Sequence, residues 1–540
     1  MRLLLLSMLL LLISAGLLLW GCSGVSPRGN AGTGGVPIAP PATFSGVLTW
    51  HNDNSRTGSN LGETTLNTAN VNPANFGVRF STTVDGQVYT QPLYVSQVKI
   101  AGQGMHNVVY VATEHDSVYA IDADNGVVLW HTSFITPPNV IPVPAEDIDD
   151  GADTDIAPEI GITGTPVIDS GAGTLFVVAK TKEGGTNYVQ RLHALDITSG
   201  REKLGGPVVI QASVPGTGDA SVGGTVRFDA LRELQREALL LANGSLYVAF
   251  ASLGDIDPYH GWLLGYSTSN LKPTLVYNST PNGSEGGIWQ SGAGPGIDNA
   301  GNIFFVSGNG AFDANTGGSD FGQSFVKLSP QGKVLDFFTP LDQETLNGPD
   351  FDVGSAGLLL LPDQPGGHTH LELSGTKNNT IYLVDRDHMG HFDPNNNNIV
   401  QTLPEVFPAG DPQGLFTAPV LWNNTVYFGA VGDTITAFSL SNGMLSSAPV
   451  MRSATSFAYP GAALAISAHG STAGIVWAIE NTTDSGDQTN AVLHAYDAST
   501  MNELCTIQLP DAAVKFASPT IANGKVYVAG QSTLTMLSSQ

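Results

Sequence analysis

The chain has 540 residues, of which 21 are basic and 47 acidic, so its formal net charge is −26. So acidic a surface repels phosphate backbones, which argues against nucleic acid as a partner, and 2 cysteines cannot form a disulfide scaffold or a cysteine-based zinc cluster. A hydrophobic fraction of 41% excludes wholesale disorder, and 64 glycines with 32 prolines favour many short strands joined by turns.

The N-terminus predicts export from the cytoplasm. A basic start is followed by an apolar run from Leu3 to Trp20, as in a secretory signal peptide. The stretch Leu19–Cys22 resembles a bacterial lipobox, so residues 1–22 are interpreted as a lipoprotein-type signal with Cys22 as the lipidated residue. A cleaved secretory signal and an uncleaved membrane anchor are the alternatives. No Asp follows Cys22, which by resemblance to lipoprotein sorting favours the outer membrane; without acylation the chain would be periplasmic or secreted.

The next segment, residues 23–46, is rich in Gly, Pro and Ser and predicts a flexible tether. Residues 47–540 are left for the folded domain. If Cys22 is acylated, Cys505 is the only free thiol, so the exported chain depends on its core for stability.

A short alternating strand that ends in Asp or Ser recurs eight times in this domain. The copies end at Asp122, Asp196, Ser267, Ser329, Asp385, Ser439, Asp497 and Ser538. Asp and Ser can cap a turn with their side chains, and a Gly four residues later, as at Gly126, permits the positive φ of a tight hairpin. An aromatic-bearing strand and a strand often opened by Pro precede each copy, and another strand follows the turn. Each unit is therefore predicted to be a four-stranded antiparallel blade.

The eighth copy ends at Gln540, directly after its third strand. The stretch from Phe76 to Val84 has the alternation needed to supply the missing outer strand. We therefore predict an all-β fold, an eight-bladed β-propeller whose ring is closed by an N-terminal strand, which leaves no exposed edge. An array of β-sandwich domains is the alternative.

The first copy, Ser117–Trp130, resembles the repeat of the PQQ-like quinoprotein propellers. The longer stretches WHNDNSRTGSN and GIWQSGAGPG look like a bacterial exported branch of that family without an assigned activity. In the family, alcohol and glucose dehydrogenases bind PQQ and Ca²⁺ on the ring axis, many of the alcohol enzymes with a vicinal Cys-Cys disulfide that this chain lacks. Other members are non-catalytic, including an outer-membrane lipoprotein that assists β-barrel assembly.

The resemblance directs attention to the loops at one end of the ring as a cofactor site. A carboxylate, lysines and a Trp around one funnel could hold an anionic quinone, with the indole as a stacking floor. The candidate residues are Gln91, Glu114, Thr165, Lys180, Trp289 and Lys377. The alternative is that Glu114 only closes a hairpin and Trp289 packs between blades.

An acidic run from Glu146 to Asp155 is the candidate metal site. Its carboxylates repel one another, and a hard cation such as Ca²⁺ would relieve that repulsion. The spacing does not match an EF-hand, and a solvated acidic loop is the alternative. The candidate ligands are Asp147, Asp149, Asp153 and Asp155.

The leading interpretation is an exported, lipid-anchored propeller that serves as a binding or scaffold module in the cell envelope. It would be a monomer without a cofactor, and its partner an envelope protein or a small molecule. The alternative is a PQQ- and Ca²⁺-dependent periplasmic alcohol or sugar dehydrogenase that uses Glu114 and a carboxylate base. A third possibility is a carbohydrate- or protein-binding surface on the long loops, suggested only by Trp262 beside Tyr259 and His260.

Overall fold

The computed structural model describes residues 46–149, 155–410, 412–481 and 490–540. The predicted signal, Cys22, the tether up to residue 45 and Asp153 lie outside this part of the chain. All the sheets belong to the unit that runs from Phe44 to Gln540. Within the described ranges no helix is long and apolar enough to cross a bilayer.

The described strands form nine sheets: eight are blades that follow one another along the chain, as predicted, and the ninth is a two-stranded hairpin. Two strands, β1 (Ser59–Asn60) and β2 (Phe76–Thr83), precede the first blade. Blade 1 contains β3 (Leu93–Ile100), β4 (Gly104–Thr113), β5 (Ser117–Asp122) and β6 (Val128–Ser133). An excursion then contains β7 (Val140–Pro144), the single-turn helix α1 (Glu146–Asp149) and β8 (Glu159–Ile160). Blade 2 contains β9 (Val167–Asp169), β10 (Thr174–Glu183), β11 (Asn187–Asp196) and β12 (Val208–Val209).

A separate hairpin, β13 (Ser213–Pro215) and β14 (Thr225–Arg227), and the short β15 (Glu233–Leu234) lie between blades 2 and 3. Blade 3 contains β16 (Leu240–Ala242), β17 (Ser245–Ser252), β18 (Trp262–Ser267) and β19 (Pro273–Asn278). Blade 4 contains β20 (Gly296–Ile297), β21 (Ile303–Val306), β22 (Phe325–Leu328) and β23 (Val334–Phe338), with 3₁₀ turns at Gln290–Gly292 and Ala314–Thr316. Helix α2 (Gln343–Asn347) leads to blade 5, which contains β24 (Leu359–Leu360), β25 (Leu371–Gly375), β26 (Ile381–Asp385) and β27 (Gln401–Leu403).

The last three blades continue the pattern. Blade 6 contains β28 (Val420–Trp422), β29 (Thr425–Phe428), β30 (Thr434–Ser441), β31 (Met444–Leu445) and β32 (Met451–Ser456). Blade 7 contains β33 (Ala463–His469), β34 (Thr472–Glu480), β35 (Val492–Asp497) and β36 (Glu503–Gln508). Blade 8 contains β37 (Thr520–Ala522), β38 (Lys525–Ala529) and β39 (Thr533–Ser539), and its fourth strand is β2.

The Asp and Ser residues at the ends of the third strands cap the turns that follow. The Oδ1 atom of Asp122 accepts a hydrogen bond of 2.8 Å from the backbone N–H of Asp124. The Oδ1 atom of Asp497 accepts one of 2.7 Å from Ser499. The repeat therefore marks Asx turns, which explains why the strand stops at that residue.

The outer strand of blade 1 packs on the turn that follows the third strand of blade 2, and this contact joins the two blades. A Cβ placed on Gly200 would lie 2.6 Å from the ring of Trp130, so only Gly allows the outer strand of blade 1 to pack against the turn of blade 2. The indole of Trp130 donates a hydrogen bond of 3.0 Å to the carbonyl of Ile197. The hydroxyl of Thr132 donates one of 2.9 Å to the carbonyl of Gly200.

The strand that closes the ring reproduces this contact. Strand β2 pairs with β39 in antiparallel register from Phe76 opposite Ser539 to Thr83 opposite Thr533. A Cβ on Gly126 would lie 2.6 Å from the ring of Phe80, and the hydroxyl of Thr82 donates a hydrogen bond of 2.7 Å to the carbonyl of Gly126. The predicted closure by an N-terminal strand is confirmed.

The N-terminal region has a second role that its sequence did not indicate. Residues 47–60, here called the axial plug, run past the innermost strands and bond to them through the backbone. Carbonyls of the plug accept hydrogen bonds from inner-strand N–H groups of five blades: Leu48 from Ile168 (2.8 Å), Asn54 from Ile297 (3.1 Å), Ser55 from Leu360 (3.0 Å), Thr57 from Leu421 (2.9 Å) and Gly58 from Ile466 (2.8 Å). The plug therefore satisfies backbone groups that the centre of the ring would otherwise leave unpaired.

Two large side chains of the plug fill the centre. Trp50 packs in one buried cluster with Ala238, Ala293 and Ala418, which come from three different blades. The fully buried guanidinium of Arg56 donates hydrogen bonds to backbone carbonyls, including that of Pro295 at 3.0 Å. Burial lowers the pKa of Arg56 to about 10, so it stays protonated at neutral pH. The plug therefore closes the central channel.

Candidate functional site

A cavity of about 160 Å³ lies on the axis above the plug. Arg236, Ser355 and Phe416 line it. Ala238 and Ala418, which follow Arg236 and Phe416 by two positions, pack against Trp50 of the plug. The other wall residues come from the connections between blades and from the loops between second and third strands. Because blades 3 to 8 all contribute, the cavity is a property of the closed ring.

Arg236 is the principal charged group of the wall. It is 6% exposed, and its Nη1 atom donates a hydrogen bond of 3.0 Å to the Oδ2 atom of Asp155. The guanidinium carbon lies 4.6 Å from the ring centroid of Phe516, a cation–π contact. Its Nε and Nη2 atoms are buried and have no hydrogen-bond partner. These two nitrogens form one edge of the guanidinium, which matches the two oxygens of a carboxylate.

Asp155 balances part of the positive charge. Burial opposes its ionisation, but Arg236 and Lys515 outweigh burial and lower the pKa of Asp155 to about 2. The Asp155 carboxylate is therefore charged throughout the neutral range, and the ion pair holds Arg236 against the wall.

Lys377 and two more carboxylates form a second charged group. The Nζ atom of Lys377 lies 2.8 Å from Asp350 and 2.6 Å from Asp352. Burial opposes protonation of Lys377, but the two carboxylates outweigh burial and raise its pKa. Asp255 accepts a hydrogen bond of 3.0 Å from the hydroxyl of Tyr259, and burial together with Asp352 and Asp350 raises the pKa of Asp255 to about 7. Asp255 can therefore exchange a proton near neutral pH.

Aromatic rings supply the rest of the wall. Trp289 meets Tyr259 edge to face, with ring centroids 6.3 Å apart. Phe416 and Tyr459 meet in the same way at 5.2 Å. The indole Nε1 of Trp289 is buried without a hydrogen-bond partner. Flat aromatic surfaces beside a guanidinium with two unpaired nitrogens suit a planar organic anion.

Of the six residues predicted to bind a cofactor, Trp289 and Lys377 line this cavity. Gln91 and Thr165 lie instead at the level of the plug. The backbone N–H of Gln91 donates a hydrogen bond of 2.9 Å to the hydroxyl of Thr165, and its side-chain oxygen accepts one of 2.9 Å from the N–H of His51. Gln91 joins the plug to the inner strands, and Thr165 holds Gln91.

Glu114 and Lys180 are buried between blades. The Oε2 atom of Glu114 accepts hydrogen bonds of 2.7 Å from Gly161 and 3.1 Å from Thr163, and burial raises its pKa to about 7. Lys180 lies within β10 and not in a turn, and its Nζ atom donates hydrogen bonds of 2.7 Å and 3.1 Å to the carbonyls of Leu231 and Glu233. Burial lowers the pKa of Lys180 to about 7. Both side chains anchor connecting segments.

The candidate Ca²⁺ ligands that the structure describes are paired with cations. The carboxylate of Asp147 lies 2.6 Å from the Nζ atom of Lys182, and Asp155 pairs with Arg236 and Lys515. The side chain of Asp149 and the whole of Asp153 lie outside the description. Among the described residues, no group of three or more His, Cys, Asp or Glu side chains could hold a metal ion. A Ca²⁺ site in this run stays a prediction.

Two further residues bear on the sequence analysis. Trp262 and Tyr259 are 0% and 2% exposed, so they do not form the aromatic surface considered above. Arg236 was missed, although its context was unusual: a charged and polar stretch, Glu233–Glu237, runs directly into the apolar inner strand of blade 3. Charged side chains at the entrance of a buried strand are the signal that could have identified it.

The fold and the cavity define an eight-bladed β-propeller with a candidate binding site on its axis. No protein-family model matches the sequence, and no curated protein matches it. Among solved structures, a quinohemoprotein alcohol dehydrogenase of Comamonas testosteroni is similar, with a TM-score of 0.59, 14% identity, and coverage of 93% of this chain and 81% of that one. The quinohemoprotein alcohol dehydrogenase ADHIIG of Pseudomonas putida HK5 has a TM-score of 0.58, 13% identity, and coverage of 92% and 80%. At these identities the similarity concerns the fold.

Proposed function

We propose that this chain is a binding module of the cell envelope that holds a small planar carboxylate in the axial cavity. The single observation that carries the proposal concerns Arg236, which lines the cavity: its Nε and Nη2 atoms are buried without a hydrogen-bond partner. Leaving such donors unpaired is costly, and a bound carboxylate would remove that cost with two charge-assisted hydrogen bonds.

The charge of the wall supports a monoanion. Asp155 already uses one nitrogen of Arg236, and Lys377 is shared between Asp350 and Asp352. A ligand with several negative charges would meet these carboxylates, whereas a single carboxylate at Arg236 would not need a second free cation. Trp289 and Phe416 would contact the planar body of the ligand.

The envelope location rests on the N-terminal sequence. A basic start, an apolar run and Cys22 in a lipobox-like stretch support export and a lipid anchor. Partition of the full chain into detergent, lost on Cys22→Ser substitution, is the expected result. Equal partition of both forms would contradict the anchor.

The alternative function is the PQQ- and Ca²⁺-dependent dehydrogenase. Its support is the fold shared with quinohemoprotein alcohol dehydrogenases and the presence of Trp289 in the axial cavity. The donor set fits poorly, because Asp155, Asp350 and Asp352 are each engaged by a cation and burial favours the neutral form of Asp255. A Ca²⁺ ion needs six or more oxygen ligands, several of them anionic.

A calorimetric titration with benzoate, and with benzyl alcohol as its neutral counterpart, tests the proposal. Benzoate should bind and benzyl alcohol should bind at least about tenfold more weakly, since charge-assisted hydrogen bonds at Arg236 are lost. Arg236→Lys keeps the charge and the ion pair but removes the unpaired Nε and Nη2 donors, so it should weaken benzoate binding by about tenfold. Arg201→Lys, at an exposed position, is the matched control.

The same protein incubated with PQQ and Ca²⁺ tests the alternative. Dye-linked oxidation of ethanol or glucose after reconstitution would support the dehydrogenase. Equal binding of benzoate by the Arg236→Lys variant and the parent protein would refute the proposed site.

A further inference from the structure

A second cavity lies at the opposite end of the ring. Its volume is about 510 Å³, and it is enclosed by the plug and by blades 4 and 5. Ser55 and Thr57 of the plug form one side, and the turn Ile297–Asn302 forms another. The turns of blades 4 and 5 that line this cavity join the first strand to the second. They therefore lie at the end of the propeller away from the axial cavity. The second cavity is therefore independent of the site proposed above.

Two cations meet in this cavity. The Nζ atom of Lys327 lies 5.7 Å and the guanidinium carbon of Arg386 lies 5.5 Å from the ring centroid of Phe304. Lys327 donates a hydrogen bond of 2.7 Å to the backbone carbonyl of Arg386. The Nε and Nη2 atoms of Arg386 donate to the carbonyls of Leu371 and Leu361, at 3.1 Å and 3.4 Å.

Neither cation has an anionic partner. Their hydrogen bonds within the described ranges go to backbone carbonyls, and neither forms an ion pair with a carboxylate of those ranges. The nearby Glu372 is 1% exposed, and burial raises its pKa to about 8 against the opposing effect of Arg386 and Lys327. At neutral pH Glu372 is therefore mostly neutral and neutralises neither cation, and the nearest carboxylates of the lining are Asp298, Asp363 and Asp387.

The rim of the cavity has a different chemistry. The Nδ1 atom of His370 lies 2.7 Å from Asp387, and its Nε2 atom lies 3.8 Å from Asp363. Among the described residues, no Phe, Tyr or Trp side chain lines the cavity. Carboxylate, imidazole and hydroxyl groups can form hydrogen bonds with the hydroxyls of a ligand. The rim carboxylates repel a ligand with two or more negative charges.

We propose that this cavity binds a sugar acid, with the ligand carboxylate at Lys327 and Arg386 and its hydroxyls at the polar rim. The two cations select a single negative charge, and the plug hydroxyls and the rim supply partners for a polyhydroxylated ring. Because no aromatic wall is available, a nucleobase or an aromatic acid is disfavoured.

Titration of the full chain with D-galacturonate, with D-galactose as its neutral counterpart, tests this. Galacturonate should bind at least about tenfold more tightly than galactose, and its affinity should fall as salt is added, because the cations provide the difference. Lys327→Met keeps the apolar stem over Phe304 and should weaken galacturonate binding about tenfold. Lys327→Arg should retain most of the affinity, and Lys333→Met, at an exposed position of the same blade, should be unchanged.

Several results would overturn the proposal. Equal affinities for galacturonate and galactose would remove the role of the cations. Binding of inorganic phosphate as tight as that of galacturonate would mean a general anion site. If Lys327→Met does not fold, as judged by its melting temperature, the salt dependence of the parent protein decides, and an affinity independent of salt refutes the proposal. A negative result for the sugar acid would not refute benzoate binding in the axial cavity, because Lys327 and Arg236 line different cavities.

Discussion

Substitution of Glu114 by Gln should change the pH dependence of stability. Burial raises the pKa of the folded-state carboxyl from 4.5 to about 7. Below about pH 4.5 both folded and unfolded states hold the proton. As the pH rises towards 7 the unfolded state releases it first, so the free energy of unfolding falls, and the loss is complete above pH 7.

The size of this loss follows from the two pKa values. At about 1.4 kcal/mol for each pH unit, the rise from 4.5 to about 7 corresponds to about 3 kcal/mol. Gln cannot ionise, and its amide oxygen can still accept the hydrogen bonds from Gly161 and Thr163. The stability of Glu114→Gln relative to the parent should therefore increase by about 2 to 3 kcal/mol between pH 5 and pH 8.

Thermal unfolding of both proteins at these two pH values measures the effect. For a chain of this size about 1 °C corresponds to 1 kcal/mol, so the difference in melting temperature should grow by about 2 to 3 °C. Any constant cost of the amide nitrogen cancels in this comparison. Glu344→Gln, at an exposed position of α2, is the control and should show no such growth. A difference that stays constant, or that is larger at pH 5, would refute the assignment of Glu114 as a buried carboxyl.

Three further predictions concern packing and reactivity. Gly126→Ala should lower the melting temperature more than Gly102→Ala, because both glycines have a φ of +77° but only at Gly126 would the new Cβ meet Phe80; equal losses would show that backbone strain alone matters. Tyr427→Phe should cost about 1 kcal/mol in thermal unfolding, since it removes a buried hydrogen bond of 2.7 Å between blades 6 and 7; no change would mean that the bond contributes nothing. Burial raises the pKa of Cys505 to about 11, so its thiol should react with iodoacetamide only in denaturant, and rapid labelling of the native protein would contradict its burial.

The sequence predicted those parts of the fold that are encoded locally. Alternating strands that end in Asp122 or Asp497 carry their own turn signal within a few residues, so eight copies define eight blades. The closing strand was visible for the same reason, because Phe76–Thr83 alternates as an outer strand must. The pairing with β39 then followed from counting strands.

The plug and the site could not be predicted in this way. Residues 47–60 have no regular period, and their structure is fixed by contacts with blades hundreds of positions away, such as the hydrogen bond of 2.9 Å from Asn60 to the carbonyl of Ile521. Trp289 and Lys377 line the axial cavity because connections between blades and turns between second and third strands lie at the same end of the ring. Gln91 and Thr165 lie at the starts of inner strands, beside the plug and not beside the cavity. The periodicity of the sequence does not show how far along the axis such a residue lies. Arg236 became visible only when the closed ring placed it opposite Phe516.

The N-terminal region, residues 47–83, has a consequence for how the molecule is assembled. Asn60 and β2 are synthesised before any blade. They can reach their final positions only after blade 8 has been synthesised, because both bind that blade. Contacts across more than 400 positions slow the final folding step, since a long loop must close before they form. A translation intermediate that lacks blade 8 therefore has no partner for β2, and the ring can close only when the whole chain has been synthesised.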